Sequence, residues 1–431
     1  MNLTSVVRGQ VWLPGDAGFD TARRPWNLAI EQPVAAVVEA ADAADVAALV
    51  RHAAASGLTV TTQANGHGAT GRTEDTILIR TRRLDELSID ATARLARIGA
   101  GVASGRLQAA AAPHGLTGLP GSSPVVSVTG VALGGGLSWF GRAHGWVGDS
   151  VIAFDVVDAS GTQRQVTVSS DPDLFWALRG GGGEFAVVTA LTMKLHAAPS
   201  LYGGRVLWDL ADAPAVVDAY RRIVATAPSE LTVWLDLLHF PGASPMIAID
   251  ATHLGPEATA RELLSPLDSL PTPLSDTRRV MTVDELGSIT AEPTDPSAGL
   301  SHCELLTAFD DEVAATLLAE PIAPLLSVQI RHLGGAFAQP SDSPHGPLTE
   351  PFALYLFGLP TDPAGVLAKQ AAYAKALPVS GRKPFTFLNA QEAAGDAFGA
   401  VAMDRLRSLK RQRDPHSVLR GNFPLSDLPL R

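Results

Sequence analysis

The residues best suited to chemistry lie in Gln63-Ala64-Asn65-Gly66-His67-Gly68-Ala69-Thr70-Gly71, where one imidazole stands among small side chains. Glycine on either side of His67 lets backbone N–H groups come close to a phosphate and leaves the ring open to whatever is bound there. Imidazole is also a nucleophile, so the stretch reads as a phosphate cradle that can fix its ligand through nitrogen. A flavin adenine dinucleotide (FAD) site with a histidine-bound flavin would have this form.

Other stretches narrow the chemistry. The run Thr129-Gly130-Val131-Ala132-Leu133-Gly134-Gly135-Gly136 is glycine-rich. It lacks the Gly-x-Gly-x-x-Gly spacing and distal acid of a nicotinamide-dinucleotide fingerprint, and no P-loop pattern occurs. The 11 histidines are scattered without metal-ligand spacing, so no metal site is expected. In the second half, Tyr355 lies in an apolar strand. Asp236 alternates with Leu235 and Leu237 and shares a face with Trp234. If the leucines pack on helices, Asp236 and Trp234 lie on the opposite face of the sheet. His332 shares its face with Val328 and Ile330 and is a candidate substrate contact. His239, His302 and Glu304 are further titratable candidates, ranked below Tyr355 and Asp236.

The elements that must position these groups follow from periodicity. A strand at Ala36–Glu39 leads into a helix capped by Asp42, with Asp45 in the capping-box position and Gly57 at the end. A strand over 58–61 then delivers the His67 loop. A helix over 104–114 precedes the broken loop Gly121-Ser122-Ser123-Pro124. Strands at 151–157 and 163–168 turn at Ser160-Gly161, and a helix starting at Asp171-Pro172 leads through four glycines to a buried strand over 185–195. After Pro199 the texture changes. Strands at 204–208, 231–239, 246–252, 302–307, 327–333 and 352–358 alternate with helices at 213–227, 256–264, 311–319 and 363–376, as in one antiparallel sheet with helices on one face. A basic helix over 403–410 stops at Asp414-Pro415, and the tail that follows is expected to fold back on an earlier domain.

Length and composition agree with this outline. The chain has 431 residues, 46% hydrophobic and 18% charged, enough for two domains with real cores. A net charge of −11 argues against nucleic acid as a partner. The single cysteine, Cys303, excludes an intramolecular disulfide. No signal-peptide pattern and no apolar run long enough to span a bilayer occurs, so a cytoplasmic protein away from membranes is expected.

Four stretches, in order, resemble the berberine-bridge-enzyme-like branch of the FAD-linked oxidases, within the vanillyl-alcohol oxidase or PCMH-type FAD-binding superfamily. They are Asn65-Gly66-His67-Gly68, Gly130 to Gly136, Asp173-Leu174-Phe175-Trp176-Ala177-Leu178-Arg179-Gly180-Gly181-Gly182-Gly183, and Lys410 through Asp414-Pro415 to Asn422. The third is the most specific. The resemblance implies an α+β, two-domain fold. Residues 1–198 form the FAD-binding domain, 199–384 an antiparallel-sheet substrate domain backed by helices, and 385–431 a segment returning to the first domain.

The resemblance implies FAD bound covalently through His67 to the flavin C8-methyl group. Members with a second link have cysteine where this chain has Ser123, so a single link is expected, a hydroxyl being a far poorer nucleophile than a thiolate. Val126 matches a position that governs oxygen access, and valine resembles the oxygen-permitting form. Asn65, Gly66, Gly68, Gly71, Val128, Gly130, Gly134, Gly135, Asp149, Val187, Val188, Asn389 and Asn422 match positions along the cofactor. Where many members have tyrosine two residues before Asn389, this chain has Phe387, which has no proton to exchange and is expected to be a stacking wall for substrate. The implied activity is oxidation of a small molecule resembling a secondary metabolite. Hydride passes to flavin N5 and dioxygen accepts the electrons, in a monomer or homodimer. Carbohydrate or alcohol oxidation, flavin-dependent oxygenation or cyclisation, and non-catalytic flavin binding are the alternatives.

Overall fold

The computed structural model describes residues 3–425; the ends of the expected first and last segments, 1–2 and 426–431, lie outside them. The first five-stranded sheet runs Gln10–Trp12, Ala36–Glu39, Thr76–Arg80, Thr59–Gln63, Leu419–Arg420. Its last four strands are parallel. The helix Ala43–Ser56 covers this sheet with Val46, Leu49, Val50 and Ala53. Asp42 caps it as expected, accepting from Ala44 N and Asp45 N, and Gly57 closes it at φ +66°. Asp45 does not complete the capping box. Its carboxylate accepts from Ala41, Arg8 and Gly9 N–H groups, because the N-terminal segment lies across the helix start and brings nearer donors.

A second sheet, entirely antiparallel, runs Leu87–Asp90, Leu95–Gly99, Val187–Lys194, Val151–Val157, Gln163–Val166. The glycine-rich run that packs beside it begins as a helix, Val128–Leu133, capped by Ser127 Oγ on Gly130 N. Glycine alone disfavours helix, but here Val128, Thr129 and Ala132 are buried and fix the turn.

The third sheet is the roof of the molecule. Its strands Leu201–Asp209, Met246–Leu254, Leu231–Leu238, Leu325–His332, Phe352–Gly358 and Leu300–Leu306 pair antiparallel in that order. Alternation divides its faces. Leu235, Leu237, Val328, Ile330, Leu354 and Leu356 pack under the helices Ala213–Thr226, Asp311–Leu318 and Pro363–Ala376. Each fully buried leucine or isoleucine contributes about 2 kcal/mol. The register places Arg205, Asp250, Trp234, Asp236, Gln329, Arg331 and Tyr355 on the opposite face.

The chain then returns. In the helix Ala400–Arg413, Lys410 Nζ is buried and donates to Asp414 Oδ2 (2.7 Å), Glu184 O (2.8 Å) and Leu419 O (2.6 Å). The strand Leu419–Arg420 beyond it pairs with Thr59–Gln63, the strand that feeds the His67 loop.

Candidate active site

Two contacts fix the His67 loop from opposite ends of the chain. Asn422 Nδ2 donates to Gly68 O, while its Oδ1 accepts from Thr70 N at 3.2 Å. Asn65 Nδ2 donates to Val125 O at 2.5 Å, and Trp26 N donates to Asn65 O at 2.7 Å. Gly66 sits at φ +85°, with Pro25 and Gln63 2.8 Å from where a Cβ would be, so no larger residue fits. Gln63 is tied down by Arg80 Nη1 (3.0 Å) and Gln32 (2.6 Å), which holds its side chain inside the first sheet.

His67 lies flat against Trp26, with ring centroids 4.1 Å apart. Both its ring nitrogens are buried and have no hydrogen-bond partner among the described residues. Burial pushes its pKa down to about 4, so the ring is neutral at pH 7 with a free lone pair, the form a nucleophile needs.

Trp26 Nε1, Thr73 Oγ1, Gln108 Nε2, Ser123 Oγ and Thr129 Oγ1 are likewise buried without partners, on the loops and helices flanking His67 and Ser123. A buried polar group left unmade costs about 1–3 kcal/mol, so this concentration fits a ligand rich in hydrogen-bonding atoms. Gly121, Val128 and Val131 line a cleft with Gln108. FAD fits these residues. Cys303 is buried in the roof with its thiol pushed up to about 12, so no thiolate stands near Ser123.

On the roof's inner face Arg331 lies over three rings: Trp234 at 4.2 Å, Tyr355 at 4.8 Å and Phe387 at 5.1 Å. Trp234 in turn stacks on Trp139, 3.5 Å between centroids. Arg331 donates to Gln329 Oε1, and Gln329 Nε2 donates to Asp236 Oδ2 at 3.1 Å. Asp236 also accepts from Ser327 Oγ (2.7 Å) and pairs with Arg205 (3.2 Å). Burial pushes its carboxyl up to about 7, against the pull of Arg205 and these hydrogen bonds. Burial likewise raises the Tyr355 phenol to about 12. The structure thus brings Trp234, Tyr355 and Phe387 together and sets Asp236 behind Gln329.

The wall carrying Phe387 meets the His67 loop. Arg72 Nη2 donates to Ala390 O (3.1 Å) and Glu392 O (2.9 Å), and its guanidinium lies over Phe423. Asn389 closes its own turn, accepting from Gln391 N, and its N–H donates to Glu392 Oε2. Glu392 also meets Lys383 (2.5 Å), which pairs with Glu304.

The remaining expected site residues take these positions. His332 lies on the helix side of the roof, opposite Phe352, with Nε2 3.0 Å from Arg142 Nη1. Sharing a face with Val328 and Ile330 takes it into the apolar core, away from Trp234. This corrects the expectation that it touches substrate. His302 and Glu304 are on that same side, at the sheet edge. Asp149 accepts from Ser341 Oγ and faces Arg179 Nη1 at 3.6 Å, a bridge between loops. Gly135 and Gly134 back onto His345 and Thr386, whose atoms lie 2.3 and 3.3 Å from where a Cβ would be. Val187 is in the core under the first sheet and Val188 in the core of the second. Val126 accepts from Ser104 N at 2.8 Å, and Gly71 at φ +77° abuts Glu31 O.

Sequence reasoning missed Arg331, Trp26 and Trp139. For Arg331 the signal was present. Putting His332 with Val328 and Ile330 leaves Gln329 and Arg331 on the face shared by Trp234 and Asp236.

Residues 34–167 match the FAD binding domain family. Over 463 aligned residues the chain is 27% identical to (R)-6-hydroxynicotine oxidase of Paenarthrobacter nicotinovorans, covering 97% of this chain and 96% of that protein. Among solved structures it superposes on 6-hydroxy-D-nicotine oxidase from Arthrobacter nicotinovorans with a TM-score of 0.86 at 24% identity, covering 97% of this chain and 98% of the other. It superposes on BBE-like 1 of Physcomitrella patens with a TM-score of 0.87 at 19% identity, covering 98% of each chain. Those two likenesses establish the α+β fold.

Proposed function

The chain belongs to the PCMH-type FAD-binding, berberine-bridge-enzyme-like family and is a FAD-dependent oxidoreductase, and from that premise we propose that it holds FAD covalently through His67 alone and oxidises a small aromatic metabolite. The observation that carries the covalent reading is His67 itself, neutral, stacked on Trp26, with both ring nitrogens buried and unpartnered. Ser123 limits the attachment to one bond. In this reading residues 1–198 and 385–431 hold the cofactor, and 199–384 roof it.

Bound FAD supplies a hydride acceptor at N5 and passes electrons on to dioxygen. The chain's residues do the rest. Phe387 stacks on a flat substrate and keeps water from the reacting carbon, while Trp234, held between Trp139 and Arg331, borders the site by its edge. Tyr355, protonated at neutral pH, donates a hydrogen bond to a substrate oxygen. Asp236 is a positioning residue, holding Gln329 and through it Arg331 in the plane of the site. The relative's name, an oxidase of (R)-6-hydroxynicotine, supports a hydroxylated aromatic substrate. No helix among the described residues is long and apolar enough to cross a membrane. The reading places the enzyme in the cytoplasm, as a monomer or homodimer.

The test is anaerobic reduction of the purified yellow protein by a panel of aromatic alcohols, phenols, amines and sugars. Bleaching by a hydroxylated aromatic, with colour and hydrogen peroxide returning in air, supports the proposal. Bleaching by sugars alone, or by nothing, contradicts it.

A further inference from the structure

Arg331 is 6% exposed, yet no carboxylate lies within ion-pair distance of it among the described residues. Its Nε and Nη2 both donate to one neutral acceptor, Gln329 Oε1, at 3.0 and 2.7 Å. The two acids on the same face are already engaged. Arg205 holds Asp250 through Nε and Nη2 at 2.6 and 2.7 Å and reaches Asp236 at 3.2 Å. What Arg331 has instead is aromatic: Trp234, Tyr355 and Phe387.

Asp250 acts on Arg331 only at a distance, so what touches the guanidinium is rings and one amide oxygen, with no anion in direct contact among the described residues. A bound anion would supply that direct partner. Guanidinium is the side chain suited to that task, because its planar fork meets a carboxylate or other paired oxygens edge-on while aromatic rings cover its faces.

We propose that Arg331 is the specificity determinant of the active site, an anchor for an ionised oxygen on an aromatic substrate. The oxygen is a carboxylate or an ionised phenol or enol. The guanidinium edge receives it, and Phe387 and Tyr355 border the ring. The proposal rests on the reading that this face roofs the flavin, and it names the substrate class for that site. It also implies that an aromatic cation is a poor ligand.

The test uses the flavin-loaded protein and calorimetric titration. Benzoate, its neutral isostere benzamide and the cation benzylamine are compared in wild type, Arg331→Met and Arg331→Lys. A parallel arm with 4-cyanophenol, above and below its own pKa, separates the phenolate source from the carboxylate. The expected result is benzoate or the phenolate bound at least tenfold more tightly than its neutral counterpart, with benzylamine weakest. Arg331→Met should lose that preference with its flavin absorbance intact, and Arg331→Lys should keep part of it. Equal binding of charged and neutral forms by wild type overturns the proposal, as does a preference that survives in Arg331→Met. A yellow protein without anion preference sinks only the anchor. A colourless wild type overturns the anchor together with the flavin reading.

Discussion

In the proposed site Phe387 and Tyr355 stand together where a single phenol is expected from the resemblance. Their rings are 5.3 Å apart, and only Tyr355 has a hydroxyl. Burial holds that phenol near 12, so it stays protonated through the physiological range and serves as donor, not base. Tyr355→Phe should therefore lower turnover at least tenfold at unchanged flavin content. The wild-type rate should show no alkaline limb up to pH 9 that this substitution removes. Steady-state rates across pH check both, and a limb near pH 8 that disappears in the variant would contradict the assignment. Behind these rings, Asp236→Asn breaks a buried pair with Arg205 and weakens the bonds from Ser327 and Gln329. Because burial already favours the uncharged carboxyl, the cost is one acceptor lost to Ser327 or Gln329, about 1–2 kcal/mol in urea unfolding at pH 7, and a loss above about 4 kcal/mol would show instead that the charged pair carries the stability. Much of this was readable from residue types, because alternation alone sends Asp236 and Trp234 to one face. The same rule read to its end sends His332 to the other.

Among the elements, the parts that carry the site come from distant places in the chain. The His67 loop is delivered by one strand and clamped by Asn422, which follows a strand paired to it from the far end of the sequence. Asn422→Ala removes both side-chain contacts. It should slow flavin attachment several-fold, with a loss of about 1–2 kcal/mol in stability, read from the time course of covalent flavin formed by apoprotein mixed with FAD. An unchanged time course would show that the loop is preformed without its clamp. The strands and helices of the roof were legible because each carries its own period-2 or 3.6 pattern. The pairing of Leu419–Arg420 with Thr59–Gln63 was not. A two-residue strand has no pattern, and what holds it is the Lys410 cluster with Glu184 and Asp414, built from two segments far apart in the chain. Asp45 failed as a capping box for a similar reason, since its better donors come from residues 8 and 9.

For the molecule as a whole, burial of neutral histidines sets the response to acid. His196 and His345 are pushed down to about 4 and His332 to about 3, each chiefly by burial, from an ordinary 6.5. Between pH 6.5 and 4 the unfolded chain therefore binds protons that the folded chain refuses, so stability is full above pH 6.5 and falls as pH drops. Asp236, raised to about 7, acts oppositely, its stabilising effect lost as pH rises from 3.8 through 7. His67, His144 and His253 are lowered by burial as well, and Asp149, Glu184 and Asp250 raised by it; the histidines are the larger set, so unfolding free energy should drop by at least about 2 kcal/mol between pH 7 and pH 4.5, measured in urea, and a flat or rising profile would refute the balance.

The reading of the FAD-binding half and its sheeted roof converges on one proposed bond, from His67 to the flavin. Intact-mass measurement of the denatured chain tests it most directly. The account predicts wild type heavier than its sequence by one FAD less two hydrogens, with yellow colour kept in the acid precipitate, and His67→Ala at the bare sequence mass. Wild type at its bare mass with all colour released by acid, or a His67→Ala variant that still carries the added mass, would contradict it.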